Sequence, residues 1–185
     1  RVSRRQRQMC IRDRNRGVQT FSQAKQFFRP SEKDFLNPFK MLGMYKAVER
    51  IKEAIANKEN ILIYGDYDVD GTCSVAMMKH FLETLSTHVF TYQPHREKEG
   101  YGLSMTAVDW LLKEEISLVI TLDCGIKDIN AAKKLKQKKF DLIICDHHNP
   151  AEILPDAFVI LNPKQVDCNY NFKELCGCGI GLKLI

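Results

Sequence analysis

The sequence predicts an α/β fold, with a parallel sheet flanked by helices. Short apolar runs of strand length alternate along the chain with longer segments of helical periodicity, an order typical of parallel sheets with crossover helices. The short runs read as nearly continuous apolar stretches rather than as alternating ones, as strands covered on both faces require. The 185 residues are 44% hydrophobic and 28% charged, which suits a domain with a buried core.

The first predicted element is an amphipathic helix over residues 40–57, where apolar side chains recur at helical spacing. A buried strand follows at 61–64, where Ile, Leu, Ile and Tyr precede a glycine. Residues 71–85 carry a second helical stripe, and residues 88–92 form the next strand. These elements begin the alternation of helices and strands.

The alternation continues through the second half of the chain. Ser104 is placed to cap a helix that runs to about residue 115. The elements that follow are a strand at 118–122, a Lys-rich helix at 127–138, a strand at 142–145, a short strand or extended segment at 157–161 and a helix that opens in the glycine-rich stretch 177–181.

Charge separates the N-terminus from the rest of the chain. Residues 1–16 hold seven Arg and one Asp, whereas residues 17–185 hold 21 basic and 22 acidic side chains. We interpret residues 1–16 as a basic arm or as a translated sequencing adapter. Residues 17–58 are then an N-terminal segment with the amphipathic helix, and residues 59–185 are the sheet domain. Because most of the chain is near neutral, net charge does not by itself indicate nucleic-acid binding.

Composition also predicts the compartment. No apolar run approaches the ~20 residues of a membrane-spanning helix, and no apolar segment follows the basic N-terminus as in a secretory signal. The seven Cys are an odd number and include no Cys-x-x-Cys pair. This pattern favours reduced thiols over a disulfide framework, and it predicts a cytoplasmic protein without a membrane segment.

Acids and imidazoles follow three of the predicted strands. Because the carboxyl ends of parallel strands meet at one edge of a sheet, we expect these side chains to converge. Clustered carboxylates repel one another, and cations relieve that repulsion. The sequence therefore predicts a binuclear metal site suited to Mn²⁺ or Mg²⁺, with Zn²⁺ or Fe²⁺ as alternatives. In chain order the clusters are Asp66, Asp68 and Asp70, then Asp123, then Asp146, His147 and His148.

The acidic run after the first strand also matches the opening of a calcium-binding EF-hand loop. That loop needs a bidentate Glu at its twelfth position and a helix in front of it. Here Met77 stands at the twelfth position counted from Asp66, and a strand precedes the run. The calcium alternative is therefore disfavoured.

Arg96 and Tyr101 follow the strand at 88–92, on the same expected edge of the sheet. An Arg can pair with phosphate through two N–H groups, and a Tyr can stack on a base. Both are candidates for contacts to a nucleotide substrate, and a solvated loop is the alternative.

Four motifs together resemble the DHH phosphoesterase superfamily, in its branch of RecJ-type single-stranded-DNA-specific exonucleases. The resemblance covers residues 27–185 in the family's order, and it implies a parallel α/β domain. The motifs are Tyr64–Gly71 (YGDYDVDG), Pro94-His95-Arg96 with Gly100–Leu103 (GYGL), Asp123-Cys124-Gly125 and Asp146-His147-His148.

The resemblance implies a metal-dependent hydrolase that removes nucleotides 5′ to 3′ from single-stranded DNA in recombination and repair. It implies two ions, Mn²⁺ or Mg²⁺, and a helicase and a single-strand-binding protein as partners. One alternative is a DHH phosphodiesterase of short RNAs or cyclic dinucleotides. Another is a non-catalytic scaffold relative, which should lack several of the ligands that this chain retains.

Residue roles follow from the same resemblance. The family also has a metal-binding Asp further downstream and a second domain, and the 185 residues include neither. We therefore expect residues 59–185 to be an incomplete DHH domain, truncated before the second domain, with little exonuclease activity alone. The implied roles are metal binding by Asp68, Asp70, Asp123 (bridging), His147 and, as an accessory ligand, Asp66; catalysis by Asp123 and a phosphate-facing His148; and substrate binding by Arg96 and Tyr101.

Overall fold

The computed structural model describes residues 11–185, and these divide into two compact units, residues 11–37 and residues 38–185. Residues 1–10 of the predicted basic arm lie outside the described residues. In the smaller unit, helix α1 (Phe21–Phe28) begins at a capping box, in which the side chains of Thr20 and Gln23 each accept the other's backbone N–H.

The larger unit is built on a five-stranded parallel sheet, which confirms the predicted fold class. Its strands are β1 (Ile61–Gly65), β2 (Val89–Tyr92), β3 (Leu118–Leu122), β4 (Asp141–Cys145) and β5 (Val159–Leu161). Their spatial order is β2-β1-β3-β4-β5. The chain thus builds outward from β1 to one side and then to the other, so the strand order reverses between β1 and β3.

Helices connect the strands and cover the sheet. They are α2 (Met44–Ala56), α3 (Val69–Glu83), α4 (Met105–Leu111), α5 (Ile129–Gln137) and α6 (Gly177–Leu184). Within residues 11–185, none of the helices combines the length and the apolar character that a membrane crossing needs.

The core lies on both faces of the sheet. On one face, Leu62 and Val119 belong to a buried cluster that includes side chains of α4 and α5. On each strand, the residues next to these two point to the opposite face of the sheet. There α3 and α6 pack, and a Cβ on Gly181 of α6 would lie 3.3 Å from Leu122 of β3. Because both faces are covered, the central strands β1, β3 and β4 are buried and mostly apolar, as their sequences predict.

Several helix boundaries differ from the sequence prediction, and two of the differences have a visible local cause. Helix α3 begins at Val69 rather than at residue 71, because the side chain of Asp68 caps it there. Helix α4 ends at Leu111 rather than near residue 115. The backbone N–H groups of Lys113 and Glu114 bond three residues back, and these tighter turns lead the chain into β3.

The amphipathic helix α2 packs with the sheet, whereas the sequence prediction divides the chain after residue 58. Its Arg50 is buried within the apolar stripe of the helix and reaches Asp141 at the start of β4. The same guanidinium bonds Glu59 in front of β1. These ion pairs hold α2 against the amino ends of β1 and β4. The compact unit accordingly begins at Pro38, in front of α2.

Candidate metal centre

Four polar residues stand side by side at the carboxyl edge of the sheet. The register aligns the last residues of β1, β3, β4 and β5, so the residue after each strand occupies an equivalent place. In the first three of these residues the backbone N–H donates to the last carbonyl of the next strand. The four are Asp66, Asp123, Asp146 and Asn162, and all are buried.

Asp66 and Asp123 flank the point where the strand order reverses. In an open parallel sheet, the chain segments leaving two such strands diverge to opposite faces and open a crevice, and ligands bind there. The topology therefore places these two acids where a ligand site is expected.

A glycine and a helix cap shape the turn after β1. Asp68 Oδ1 accepts the N–H of Gly71 at 2.9 Å, which starts α3 directly above the strand end. A Cβ on Gly71 would lie 2.4 Å from the backbone oxygen of Asp66, so a larger residue would push the helix off the strand. The turn thus brings the exposed Asp68 next to the buried Asp66.

Asp123 is the residue that two groups of metal-binding atoms share. Its φ is +64°, in a region that Asp adopts more readily than most residues. Its carboxylate forms one group with Asp66 and Asp68, in which the ligand atoms lie within 4.8 Å of one another. It forms a second such group with His147 and His148. Two donor sets that meet at one carboxylate suit two neighbouring cations.

The electrostatics of the cluster also fit cations. Among the described residues, Asp66 Oδ1 and Asp123 Oδ1 are buried oxygens without a hydrogen bond, and such oxygens are costly. His147 Nε2 lies 3.1 Å from Asp123 Oδ1 but is not aligned for a hydrogen bond. Burial, together with the negative charges of Asp70 and Asp68, raises the pKa of Asp123 to about 8. A divalent cation would both occupy these oxygens and offset the repulsion.

The two histidines lie against the acids through their ring nitrogens. Burial and the neighbouring His148 lower the pKa of His147, which favours the neutral imidazole that metals bind. His148 Nδ1 lies 2.7 Å from Asp146 Oδ1. Because a carboxylate accepts, Nδ1 carries the proton and Nε2 keeps a free lone pair. Asp146 is held in turn by the N–H of Ile126 at 2.9 Å.

Asp70 lies beside the two groups and also contacts α6. Its carboxylate oxygens accept the N–H groups of Gly177 at 2.7 Å and Cys178 at 2.8 Å. His147 Nε2 lies 3.9 Å from Asp70 Oδ2 and 3.1 Å from Asp123 Oδ1. Asp70 and Asp123 therefore converge on the same imidazole nitrogen, although Asp70 is outside the two tighter groups.

Tyr101 reaches into the centre from the loop between β2 and α4. Its hydroxyl donates to the backbone carbonyl of Asp123 at 3.1 Å and lies 3.0 Å from His148 Nδ1. The ring itself is half exposed. The Tyr101 hydroxyl can therefore hold Asp123 and His148 in place while the ring remains accessible to a substrate.

Arg96 lies at the rim of the site. Its guanidinium sits over the ring of Tyr67, 5.4 Å from the centroid, beside an open groove of about 560 Å³. Glu99 braces this loop, because its carboxylate accepts the N–H of His95 and the hydroxyl of Ser104. The predicted substrate residues thus border the predicted metal residues.

Residues 60–185 match the family model described as the DHH family, N-terminal domain. The chain belongs to the DHH family. The part that matches the DHH model contains all five strands and every residue of the metal centre described above.

Curated relatives of this DHH chain are named single-stranded-DNA-specific exonuclease RecJ. The protein from Bacillus subtilis is 46% identical over 169 residues, which are 91% of this chain and 22% of the relative. The protein from Haemophilus influenzae is 34% identical over 154 residues, 83% of this chain and 27% of the relative. The DHH chain thus spans about a quarter of the length of these relatives.

Solved structures share the fold of this DHH chain. A crystal structure of exonuclease RecJ bound to manganese has a TM-score of 0.73 and 30% identity, over 81% of this chain and 38% of that one. RecJ from Thermus thermophilus has a TM-score of 0.71 at 24% identity, over 93% of this chain and 23% of that one. At that identity, the likeness is evidence for the shared fold and for nothing more.

Three residues of this DHH site have functions that the sequence prediction does not give, although it counts Asp146 among the acids expected at this edge. Asp146 orients His148, and Asn162 donates to the His148 carbonyl at 2.9 Å. Both directly follow strands, so equal placement at strand ends is the sequence signal that indicates them. Gly177 contacts both Asp70 and Asp123, but only the folded chain reveals it.

Proposed function

We propose that the chain provides the metal-binding part of an exonuclease that hydrolyses phosphodiester bonds of single-stranded DNA, 5′ to 3′. One observation carries this proposal: Asp123 is shared by the donor pair Asp66 and Asp68 and by the donor pair His147 and His148. When bound, a pair of divalent cations lowers the pKa of an attacking water and offsets charge on the phosphate oxygens.

The chain's own residues hold and orient the reacting groups. Asp66, Asp68 and Asp123 supply oxygen ligands and His147 a neutral nitrogen, with Asp70 beside them. Asp146 holds His148 through Nδ1, and in the doubly protonated ring the Nε2–H would donate to a phosphate oxygen. Arg96 offers two parallel N–H groups to a second phosphate, and Tyr101 offers a ring for a base.

The relatives support the choice of substrate and ion. Those at 46% and 34% identity are named single-stranded-DNA-specific exonucleases, and a structure with the same fold is bound to manganese. We extend single-stranded DNA and Mn²⁺ or Mg²⁺ to this chain on that basis. A helicase and a single-strand-binding protein are proposed partners, and the cytoplasm is the proposed location.

A chimaera tests the proposed activity, because the chain spans only part of its relatives. In the chimaera, this chain replaces the matching segment of the Bacillus subtilis relative. We expect Mn²⁺-dependent release of nucleotides from the 5′ end of single-stranded DNA, at least about tenfold faster than from short RNAs or cyclic dinucleotides. End-labelled oligonucleotides measure both the rate and the direction.

The unmodified relative is the control for the chimaera. Faster cleavage of cyclic dinucleotides or short RNAs would identify a different DHH phosphodiesterase. A folded chimaera without hydrolysis, beside an active control, would support a scaffold role instead.

Metal binding should depend on pH through Asp123. Its pKa of about 8 means that the carboxyl holds a proton at neutral pH, and a cation must displace that proton. The pKa of His147 is lowered, so its protonation does not oppose binding in the same range. We expect Mn²⁺ affinity to rise with pH up to about 8, by at most about tenfold per unit. Calorimetric titration in two buffers of different ionisation enthalpy measures the affinity and the released proton, and pH-independent affinity would contradict this.

A further inference from the structure

We propose that Gly177, the first residue of α6, is a positioning residue of the metal centre. Its N–H holds the carboxylate of Asp70, and its missing side chain leaves the space in which the carboxylate of Asp123 lies. The inference rests on the proposed function, because it assumes that these two acids bind metal.

The first contact orients Asp70. The N–H groups of Gly177 and Cys178 each bond a different oxygen of this carboxylate, at 2.7 and 2.8 Å. Such charge-assisted bonds at a helix N-terminus fix both the position and the rotation of a carboxylate. The remaining lone pairs of Asp70 are left on the side of His147 Nε2, 3.9 Å from Asp70 Oδ2.

The second contact concerns the space beside Asp123, which a side chain at residue 177 would occupy. A Cβ on Gly177 would lie 2.6 Å from both Cβ and Oδ1 of Asp123, closer than non-bonded atoms approach. Asp123 cannot retreat, because its N–H donates to Cys145 and its carbonyl accepts from Tyr101. A side chain at residue 177 must therefore displace the Asp123 carboxylate or move α6 away from Asp70, and either movement disturbs a predicted ligand.

Other glycines of α6 lack this constraint. A Cβ on Gly179 would lie 3.2 Å from Cδ2 of Leu175, the mobile end of a side chain. A Cβ on Gly181 would lie 3.3 Å from Cδ2 of Leu122. Helix propensity alone favours Ala over Gly at each of these helical positions. A loss confined to residue 177 would thus report its contacts with the acids.

The test compares Gly177→Ala with Gly179→Ala in this chain. Mn²⁺ binding is followed through the paramagnetic resonance signal of the free ion, and folding through circular dichroism. We expect Gly177→Ala to weaken Mn²⁺ binding by at least about tenfold, while Gly179→Ala stays within about twofold of the parent. Parent-like binding by a folded Gly177→Ala chain would overturn the proposal.

A double substitution keeps the test decisive if Gly177→Ala unfolds the chain. Asp123→Gly removes the atoms that clash, and its positive φ suits glycine. We expect Gly177→Ala to lower the melting temperature by about 5 °C or more in the parent, but by less than half of that in the Asp123→Gly background. Equal decreases in melting temperature in both backgrounds would show that Gly177 does not act through its contact with Asp123. A parent chain that binds no Mn²⁺ would overturn the proposed function, and this melting comparison would then decide alone whether Gly177 positions Asp123.

Discussion

Replacing Asp123 by Asn is expected to reduce Mn²⁺ affinity and Mn²⁺-dependent hydrolysis by at least about a hundredfold, since changes to residues that merely support metal ligands already cost ~10- to 100-fold. The amide keeps the shape of the side chain and tolerates the positive φ, so the fold should persist. It removes the one charge that both donor groups share. Calorimetry on this chain measures the binding, and the chimaera with the Bacillus subtilis relative measures the hydrolysis.

Asp156→Asn is the matched control for that experiment. This carboxylate is well exposed and pairs with Lys136 on the surface, so losing its charge should leave Mn²⁺ binding unchanged. If Asp123→Asn bound Mn²⁺ as well as Asp156→Asn, the shared-carboxylate assignment would be wrong.

Replacing Arg50 by Ala is expected to lower the free energy of unfolding by about 2 kcal/mol, because it removes the charge-assisted hydrogen bonds to the partly exposed Glu59 and Asp141. The Arg50 side chain is 8% exposed, and it bonds Glu59 at 2.5 Å and Asp141 at 2.6 Å. These pairs join α2 to β1 and β4, so their loss should also loosen the packing of α2. Urea denaturation followed by circular dichroism gives the difference.

Lys52→Ala in the same helix is the control for Arg50→Ala. Lys52 pairs with Glu49 at 2.9 Å, and both side chains are about 70% exposed. An exposed pair contributes about 0.5 kcal/mol or less, so this variant should be almost as stable as the parent. Similar losses for Lys52→Ala and Arg50→Ala would show that the buried pairs add no stability beyond helix propensity.

The strands of the sheet are readable from the sequence because each is a local pattern. The strand Leu118–Leu122 has the predicted boundaries, since a run of β-forming residues, apolar except for Thr121, ends at the charged Asp123. The start of α3 is less readable, because Asp68 is expected as a ligand and is found also as a helix cap. Arg50 breaks its apolar stripe for a reason that lies in β4, in the contact with Asp141, which helical spacing does not encode.

The candidate site likewise has features that the sequence indicates and features that appear only in the folded chain. The sequence indicates the chemistry, because carboxylates and imidazoles after parallel strands must meet at one edge, and Asp66, Asp123 and His147 do so. Asp146 and Asn162 occupy equivalent strand-end places, but their bonds to His148 depend on side-chain directions that appear only in the fold.

The order of residues is enough to predict the alternation of strands and helices, the edge at which acids collect and the donor types that suit divalent cations. The folded chain was needed to show that the first residues of α6 bond Asp70 and that Gly177 leaves room for Asp123, and it places Asp123 between the two donor groups as the resemblance implies. The difference follows from how far apart along the chain the interacting residues lie. Hydrophobic periodicity depends on neighbours a few positions apart, whereas distances between residues far apart in the chain depend on strand register and on how helices pack across the sheet.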